Sequence, residues 1–140
     1  MVYFEAADLD ELEPFLTRLP GIIVVDHMGR PNVNKGVDHP DFDRFIRLMS
    51  NNENIWTKVT CPERLTIAGA PYDDVVPYYR AIVEKFEDRV LWGTDWPHPN
   101  MKSHMPDDGV LVDYIPKIAR TQAQRQKLLI TNPMRLYWSQ

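Results

Sequence analysis

The chain has 140 residues, with 16 basic and 20 acidic side chains and a formal net charge of −4. This length predicts one domain over residues 1–140, whereas a complete (β/α)₈ barrel typically needs about 250 residues. The acidic balance argues against a nucleic-acid partner, and no apolar run approaches the ~20 residues of a membrane span. A single cysteine and an N-terminus without a basic region favour a cytoplasmic protein.

Short apolar runs alternate with amphipathic stretches from the beginning of the chain. Residues 2–4 predict a strand, and the next helix is predicted to begin at Asp8, with Glu11 three residues later as in a capping box. Residues 22–25 form a continuous β-branched run, which is typical of a strand buried on both faces. Residues 38–40 contain a proline that favours the first turn of a second helix.

The same alternation continues through the second half. Residues 55–60 predict a third strand, residues 75–86 carry the apolar stripe of a third helix, and residues 90–92 predict a fourth strand. Two or three helices follow, one of which begins with a capping box of Thr121 and Gln124. The pattern predicts four βα units, that is, an α/β fold with parallel strands. In such sheets, functional groups gather beyond the carboxyl ends of the strands.

Asp95 follows the fourth predicted strand, between Gly93 and Trp96. A partly desolvated carboxylate at this place is a better base than a surface one, so one interpretation is a general base that takes a proton from water. The other interpretation is a turn residue that closes the strand. The local sequence alone slightly favours the turn.

His27 follows the second predicted strand and is open to two interpretations. A neutral imidazole can bind a metal, orient water or donate to a carbonyl oxygen, but it can equally be a core histidine bonded to the backbone. Asp26 precedes it, so on a continuing strand the two side chains would face opposite ways.

The remaining candidates are weaker on local sequence. Arg64 has the fork-shaped guanidinium that recognises a planar carboxylate, although pairing with Glu63 on the surface is the alternative. Arg30 is predicted to be structural, since Gly29–Pro31 indicates a turn. Cys61 is predicted to be a small buried residue and not a nucleophile. His98 lies in a Pro-x-Pro stretch that suits a lid or a pocket wall.

Three motifs together resemble the amidohydrolase superfamily, and within it the branch that hydrolyses 2-pyrone-4,6-dicarboxylate. They are residues 24–31 (VVDHMGRP), 92–99 (WGTDWPHP) and 132–137 (NPMRLY). The resemblance covers nearly the whole chain. Members of this family are TIM barrels, so it implies that the chain forms the C-terminal half of a (β/α)₈ barrel.

The resemblance also implies a chemistry: hydrolysis of a cyclic ester in the breakdown of aromatic compounds, without a metal or another cofactor. Asp95 would activate water, and His27 would polarise the scissile carbonyl or hold the hydrogen-bond network. Tyr3 and Arg64 would bind the anionic lactone, and His98 is assigned to the same substrate pocket.

The chain departs from the family pattern because the first barrel half and its His-x-His motif are absent from the sequence. Two alternatives therefore stay open: a metal-dependent amidohydrolase or related decarboxylase, and a catalytically silent half-barrel. Four strands cut from a barrel would leave two open edges and an uncovered inner face, near Glu5 and Lys58. A second half-barrel or self-association is expected to cover them.

Overall fold

A computed structural model describes residues 1–102 and 104–138. Its sheet has three parallel strands in sequence order, β1 (Ile23–Val25), β2 (Ile55–Val59) and β3 (Val90–Trp92). Ile23 pairs with Ile55, and Thr57 pairs with Val90, so the carboxyl ends of all three strands lie at one edge of the sheet. The predicted α/β class with parallel strands is confirmed.

Helices follow the strands as the sequence predicts. They are α1 (Leu9–Leu16), α2 (Pro40–Asn51), α3 (Pro62–Leu65), α4 (Val76–Lys85), α5 (Asp108–Asp113), α6 (Ile115–Ile118), α7 (Gln122–Gln126) and α8 (Asn132–Tyr137). Short 3₁₀ turns span Ala6–Asp8, Val33–Lys35 and Asp73–Val75, and a π-helical turn, Lys127–Thr131, joins α7 to α8. No helix among the described residues is long and apolar enough to cross a bilayer.

The first predicted strand is reduced to a single bridge. The Val2 amide donates to the Val24 carbonyl, and the Val2 carbonyl accepts from the Asp26 amide, both at 2.9 Å. Residues 3–5 make no further ladder contact, and a 3₁₀ helix follows at Ala6–Asp8. This turn runs directly into α1, so Asp8 already has helical dihedral angles, and the predicted capping hydrogen bond from its side chain is absent.

The second predicted capping box is present at α7. The Thr121 hydroxyl accepts from the Gln124 amide, and the Gln124 side-chain oxygen accepts from the Thr121 amide, both at 3.1 Å. Thr121 has an extended backbone, as an N-cap residue needs, and this is the condition that Asp8 does not meet.

The two faces of the sheet have different coverings. Alternate strand residues such as Val25 and Val59 face the main core beneath the helices. Val24, Trp56 and Leu91 face the other way and are nevertheless buried, because Leu136 of α8 packs on them. The expectation of an uncovered inner face is therefore wrong for its apolar part.

Among the described residues, polar side chains lie near the inner face and at the free edge of the sheet. Lys58 lies 2.8 Å from Asp26 as an ion pair, whereas Glu5 is exposed and lies 3.4 Å from Arg30. At the free edge of β3, the Asn132 amide donates to the Val90 carbonyl at 2.8 Å. This contact covers part of an edge that could otherwise pair with another chain.

Candidate functional site

His27 lies in a tight left-handed turn directly after β1. The turn, Asp26–Gly29, has a φ of 52° at His27 and 65° at Gly29. A Cβ on Gly29 would lie 2.8 Å from the ring of Phe4, so only glycine fits there. Because the strand has ended at Val25, Asp26 and His27 do not alternate along a strand as predicted. Asp26 instead pairs with Lys58.

The other two strands end in the same manner. Cys61, two residues after β2, has a φ of 64°, and Asp95, three residues after β3, has a φ of 65°. Non-glycine residues in this region are strained, and such strain clusters at functional sites where the surrounding structure holds it. α3 follows Cys61 at once and carries Arg64.

These turns bring three of the predicted site residues together. An Arg64 Nη1 donates to Asp95 Oδ2 at 3.2 Å, and His27 Nε2 lies 3.9 Å from Asp95 Oδ1. The Tyr3 ring meets the His27 ring edge to face, with 6.0 Å between centroids. The arrangement offers a carboxylate, an imidazole and a guanidinium around one point.

Thr60 holds the His27 ring, and sequence reasoning missed it. Its hydroxyl lies 2.5 Å from His27 Nδ1, and its carbonyl accepts from the buried Tyr79 hydroxyl at 2.6 Å. Burial lowers the pKa of His27, and the Arg64 cation lowers it further, against the opposing effect of Asp95. The imidazole is therefore neutral at neutral pH, with Nε2 directed at Asp95.

Cys61 lies beneath the site. It is buried, and its Sγ lies 3.7 Å from His27 Nε2. Burial raises the pKa of this thiol far above its ordinary value, so the reactive thiolate is disfavoured. This environment agrees with the prediction of a small buried residue.

His27, Cys61 and Asp95 each place one donor atom within 4.8 Å of the others, which is close enough to hold a metal ion. The surroundings fit a divalent cation poorly. The Arg64 guanidinium already lies against Asp95 and is 3.9 Å from the Cys61 sulfur, and the thiol itself must lose its proton before it can bind a metal. The positive charge next to the Asp95 carboxylate and the Cys61 sulfur therefore comes from the Arg64 guanidinium.

Arg30, predicted to be structural, reaches the site as well. Its guanidinium donates to the Tyr3 hydroxyl at 2.6 Å. Tyr3, Arg30 and Arg64 line an open cavity of about 530 Å³. A second cavity of about 430 Å³ is lined by His27 and Asp95, among others. The signal that could have identified Arg30 is its position three residues after His27, directly after the turn that carries His27.

His98 is buried in the loop that follows Asp95. Its side chain is only 3% exposed and lies between two carboxyl groups, with Nδ1 3.7 Å from Glu63 and Nε2 3.2 Å from Asp108. The ring is therefore directed at these acids and not at the surface of the cavity. His98 is part of the loop that carries Asp95, and its assignment to the substrate pocket stays a prediction.

The whole described chain matches known proteins. The family model described as amidohydrolase matches residues 1–138. The chain is 59% identical to a 2-pyrone-4,6-dicarboxylate hydrolase of Comamonas testosteroni, over 99% of this chain and 48% of that protein. It is 40% identical to a 4-sulfomuconolactone hydrolase of Rhizobium radiobacter, over 82% of this chain and 39% of that protein.

Solved structures share the fold. A probable 2-pyrone-4,6-dicarboxylic acid hydrolase from Acinetobacter baumannii, crystallised with citric acid, superposes with a TM-score of 0.80 at 28% identity, over 96% of this chain and 50% of that one. The chain spans about half the length of the relatives it matches, which agrees with half of a (β/α)₈ barrel. From the match over residues 1–138 and the 59% identity, the chain belongs to the amidohydrolase family.

Proposed function

We propose that the protein hydrolyses a cyclic ester that carries carboxylates, of the 2-pyrone-4,6-dicarboxylate class, without a metal ion. The observation that carries this proposal is the contact of Arg64 and Asp95 at 3.2 Å beside His27, at the ends of three neighbouring strands. The relatives named as hydrolases of 2-pyrone-4,6-dicarboxylate and 4-sulfomuconolactone support it, since both names describe anionic lactones.

In the proposed reaction, Asp95 accepts a proton from water as the water oxygen attacks the lactone carbonyl. His27 Nε2, when it bears the proton, donates to the carbonyl oxygen as negative charge develops there. This tautomer requires the Thr60 hydroxyl to donate to Nδ1, which its 2.5 Å position allows. The bond between the carbonyl carbon and the ring oxygen then breaks, and the leaving oxygen takes up the proton that Asp95 accepted from water. The new carboxylic acid loses its own proton to solvent. The products are a carboxylate and an enol or alcohol.

Substrate recognition is assigned to the cationic side of the site. Arg64 donates two parallel hydrogen bonds to one substrate carboxylate, and Tyr3 donates its hydroxyl proton to the substrate. Arg30 and Arg64 give positive charge to the cavity despite the net charge of −4. Citric acid in the solved Acinetobacter relative is likewise a multiply charged carboxylate.

The test is the loss of 2-pyrone-4,6-dicarboxylate absorbance, measured with this chain alone and with the N-terminal half of the Comamonas relative added. Asp95→Asn is expected to slow lactone opening by about 10²–10⁴-fold, whereas Asp113→Asn, at an exposed carboxyl on α5, leaves the rate unchanged. A full rate in Asp95→Asn would disprove the assignment of the base. Absence of turnover in both formats would instead support a catalytically silent half-barrel.

One alternative is a metal-dependent hydrolase or decarboxylase, which would use the proximity of His27, Cys61 and Asp95 despite the Arg64 guanidinium beside them. Exhaustive chelation separates it from the main proposal. We expect the rate to survive chelation, since Arg64 supplies the charge. A rate that disappears and returns with added Zn²⁺ would establish the metal-dependent alternative, and release of carbon dioxide would identify a decarboxylase.

A further inference from the structure

Glu63 is a buried acid that the proposed reaction does not use. Its side chain has 0% exposure, and neither carboxyl oxygen has a hydrogen-bond partner among the described residues. A buried carboxyl group without hydrogen bonds destabilises a protein, because the group loses its hydrogen bonds to water and gains none within the protein. Packing alone does not account for an acid at this position, since an apolar side chain of similar size would be more stable there.

The nearest polar group is the ring of His98. His98 Nδ1, which also lacks a hydrogen bond, lies 3.7 Å from Glu63 Oε1. The other ring nitrogen lies 3.2 Å from Asp108 at the beginning of α5. His98 is thus held between α3 and α5 by one acid on each side.

Glu63 and His98 each lie next to one member of the proposed reacting pair, Arg64 and Asp95. Glu63 is the residue before Arg64 on α3, and the main-chain amide of His98 donates to the Asp95 carbonyl at 2.8 Å. The loop that carries Asp95 and His98 is strained, with φ values of 65° at Asp95, 58° at His98 and 73° at Asn100. A backbone of this kind persists only where neighbouring groups hold it.

We infer that Glu63 is a positioning residue, which through His98 holds the Asp95 loop against the helical turn that carries Arg64. This inference rests on the proposed function in one respect, namely that Arg64 and Asp95 are the pair whose spacing matters. The restraint acts through a series of contacts. Glu63 attracts the His98 ring and so limits the movement of the His98 main chain. The His98 amide in turn holds the Asp95 carbonyl by its hydrogen bond. Small displacements of reacting groups strongly lower reaction rates, so this restraint supports catalysis by keeping Arg64 and Asp95 at their spacing.

The test compares Glu63→Leu, which removes the polar contact, with Glu63→Gln, which keeps an acceptor for the His98 ring. We expect Glu63→Leu to keep or raise the Tm while kcat for lactone opening falls at least about tenfold, and Glu63→Gln to recover most of that loss. Glu84→Leu, at an exposed acid on α4, is the matched control and leaves kcat unchanged. If Glu63→Leu keeps the wild-type kcat, or if Leu and Gln lower it equally, the inference is wrong.

A second measurement does not depend on turnover. The Arg64 Nε–H signal in a ¹H–¹⁵N spectrum is expected to show restricted motion in the wild type and increased motion in Glu63→Leu, but not in Glu84→Leu. Should Glu63→Leu fail to fold, His98→Asn releases the same contact from the other side and is expected to have the same effect. If the wild type opens no lactone, the proposed function fails, yet an unchanged Arg64 signal in these variants would still overturn the positioning role.

Discussion

Replacing Asp95 by Asn is expected to strengthen the binding of a dicarboxylate while it removes the proposed base. In the free protein, Arg64 donates to Asp95 at 3.2 Å, so an incoming carboxylate competes with Asp95 for the guanidinium. A ligand carboxylate bound to Arg64 at a similar distance would lie roughly 6 Å from the Asp95 charge. Coulomb's law with effective dielectric constants of about 80 to 20 gives a repulsion of about 0.7–2.8 kcal/mol at that separation.

The Asp95 side chain is 23% exposed, so solvent screening places the effect toward the lower end of this range. We expect Asp95→Asn to bind about three- to tenfold more tightly, which corresponds to about 0.7–1.4 kcal/mol, since each 1.4 kcal/mol is worth a factor of ten. The assay is calorimetric titration with pyridine-2,4-dicarboxylate, a flat dicarboxylate without a lactone bond. Equal or weaker binding by Asp95→Asn would refute the view that Asp95 and the ligand share Arg64, and a gain that does not shrink in high salt would refute its electrostatic origin.

Three further predictions concern single residues. Arg64→Gln is expected to weaken binding of the same dicarboxylate by about 10–100-fold, since hydrogen bonds from a charged group contribute about 1.5–3 kcal/mol, and calorimetry measures this. Asn132→Leu removes two 2.8 Å hydrogen bonds, one to the buried carbonyl of Val90 and one to the partly buried carbonyl of Glu87, so urea denaturation should show a loss of about 2–4 kcal/mol. His27→Gln is expected to reduce the loss of stability on acidification, measured by urea denaturation between about pH 5 and pH 8.

The sign of the His27 prediction follows from the direction of its pKa shift. Burial lowers the pKa in the folded protein below the ordinary value of 6.5. The unfolded chain therefore binds the proton first as the pH falls, and stability decreases below pH 6.5. A glutamine at this position does not titrate, so that part of the pH dependence should disappear. An unchanged pH dependence in His27→Gln would show that other groups cause the acid lability.

Arg18→Gln and Gln126→Leu, at exposed positions, serve as controls for the arginine and asparagine substitutions. Neither position adjoins the cavities or the free edge of β3. Dicarboxylate binding should be unchanged in the first, and unfolding free energy should change little in the second. A loss in Arg18→Gln equal to that in Arg64→Gln would mean that only the overall charge matters. A loss in Gln126→Leu equal to that in Asn132→Leu would mean that the covered edge contributes nothing specific.

The sequence predicted the sheet and the convergence of His27, Arg64 and Asp95, because both depend on local patterns. Continuous apolar runs identify buried strands, and parallel strands place their carboxyl ends together. The structure places the side chain of Asp95 within 4 Å of both His27 and Arg64. The relation between Asp26 and His27 was predicted wrongly, since it assumed that the strand continued past Val25 and nothing in the apolar pattern marks a left-handed turn.

The sequence did not predict several of the contacts between buried side chains. Glu63 and His98 are 35 positions apart, and either one alone resembles an ordinary loop residue. Their burial follows from how α3, α5 and the Asp95 loop pack together, which the polarity of the sequence did not indicate. The same holds for Thr60 and His27, whose hydrogen bond joins the ends of two strands.

The last helix, α8, is a second case in which a long-range contact that the sequence did not predict changes the description of the site. From the sequence, residues 132–137 were one of the motifs that carry the family resemblance, with no contact to the sheet predicted for them, yet Leu136 packs on the sheet face that a half-barrel was expected to expose. Tyr137 and Trp138, both more than half exposed, line the same cavity as His27 and Asp95. The lining of this cavity therefore includes exposed aromatic rings as well as the proposed reacting groups. If the substrate is the flat, anionic lactone proposed above, its ring can stack on these aromatic side chains, an interaction that a flexible chain ester would make less well.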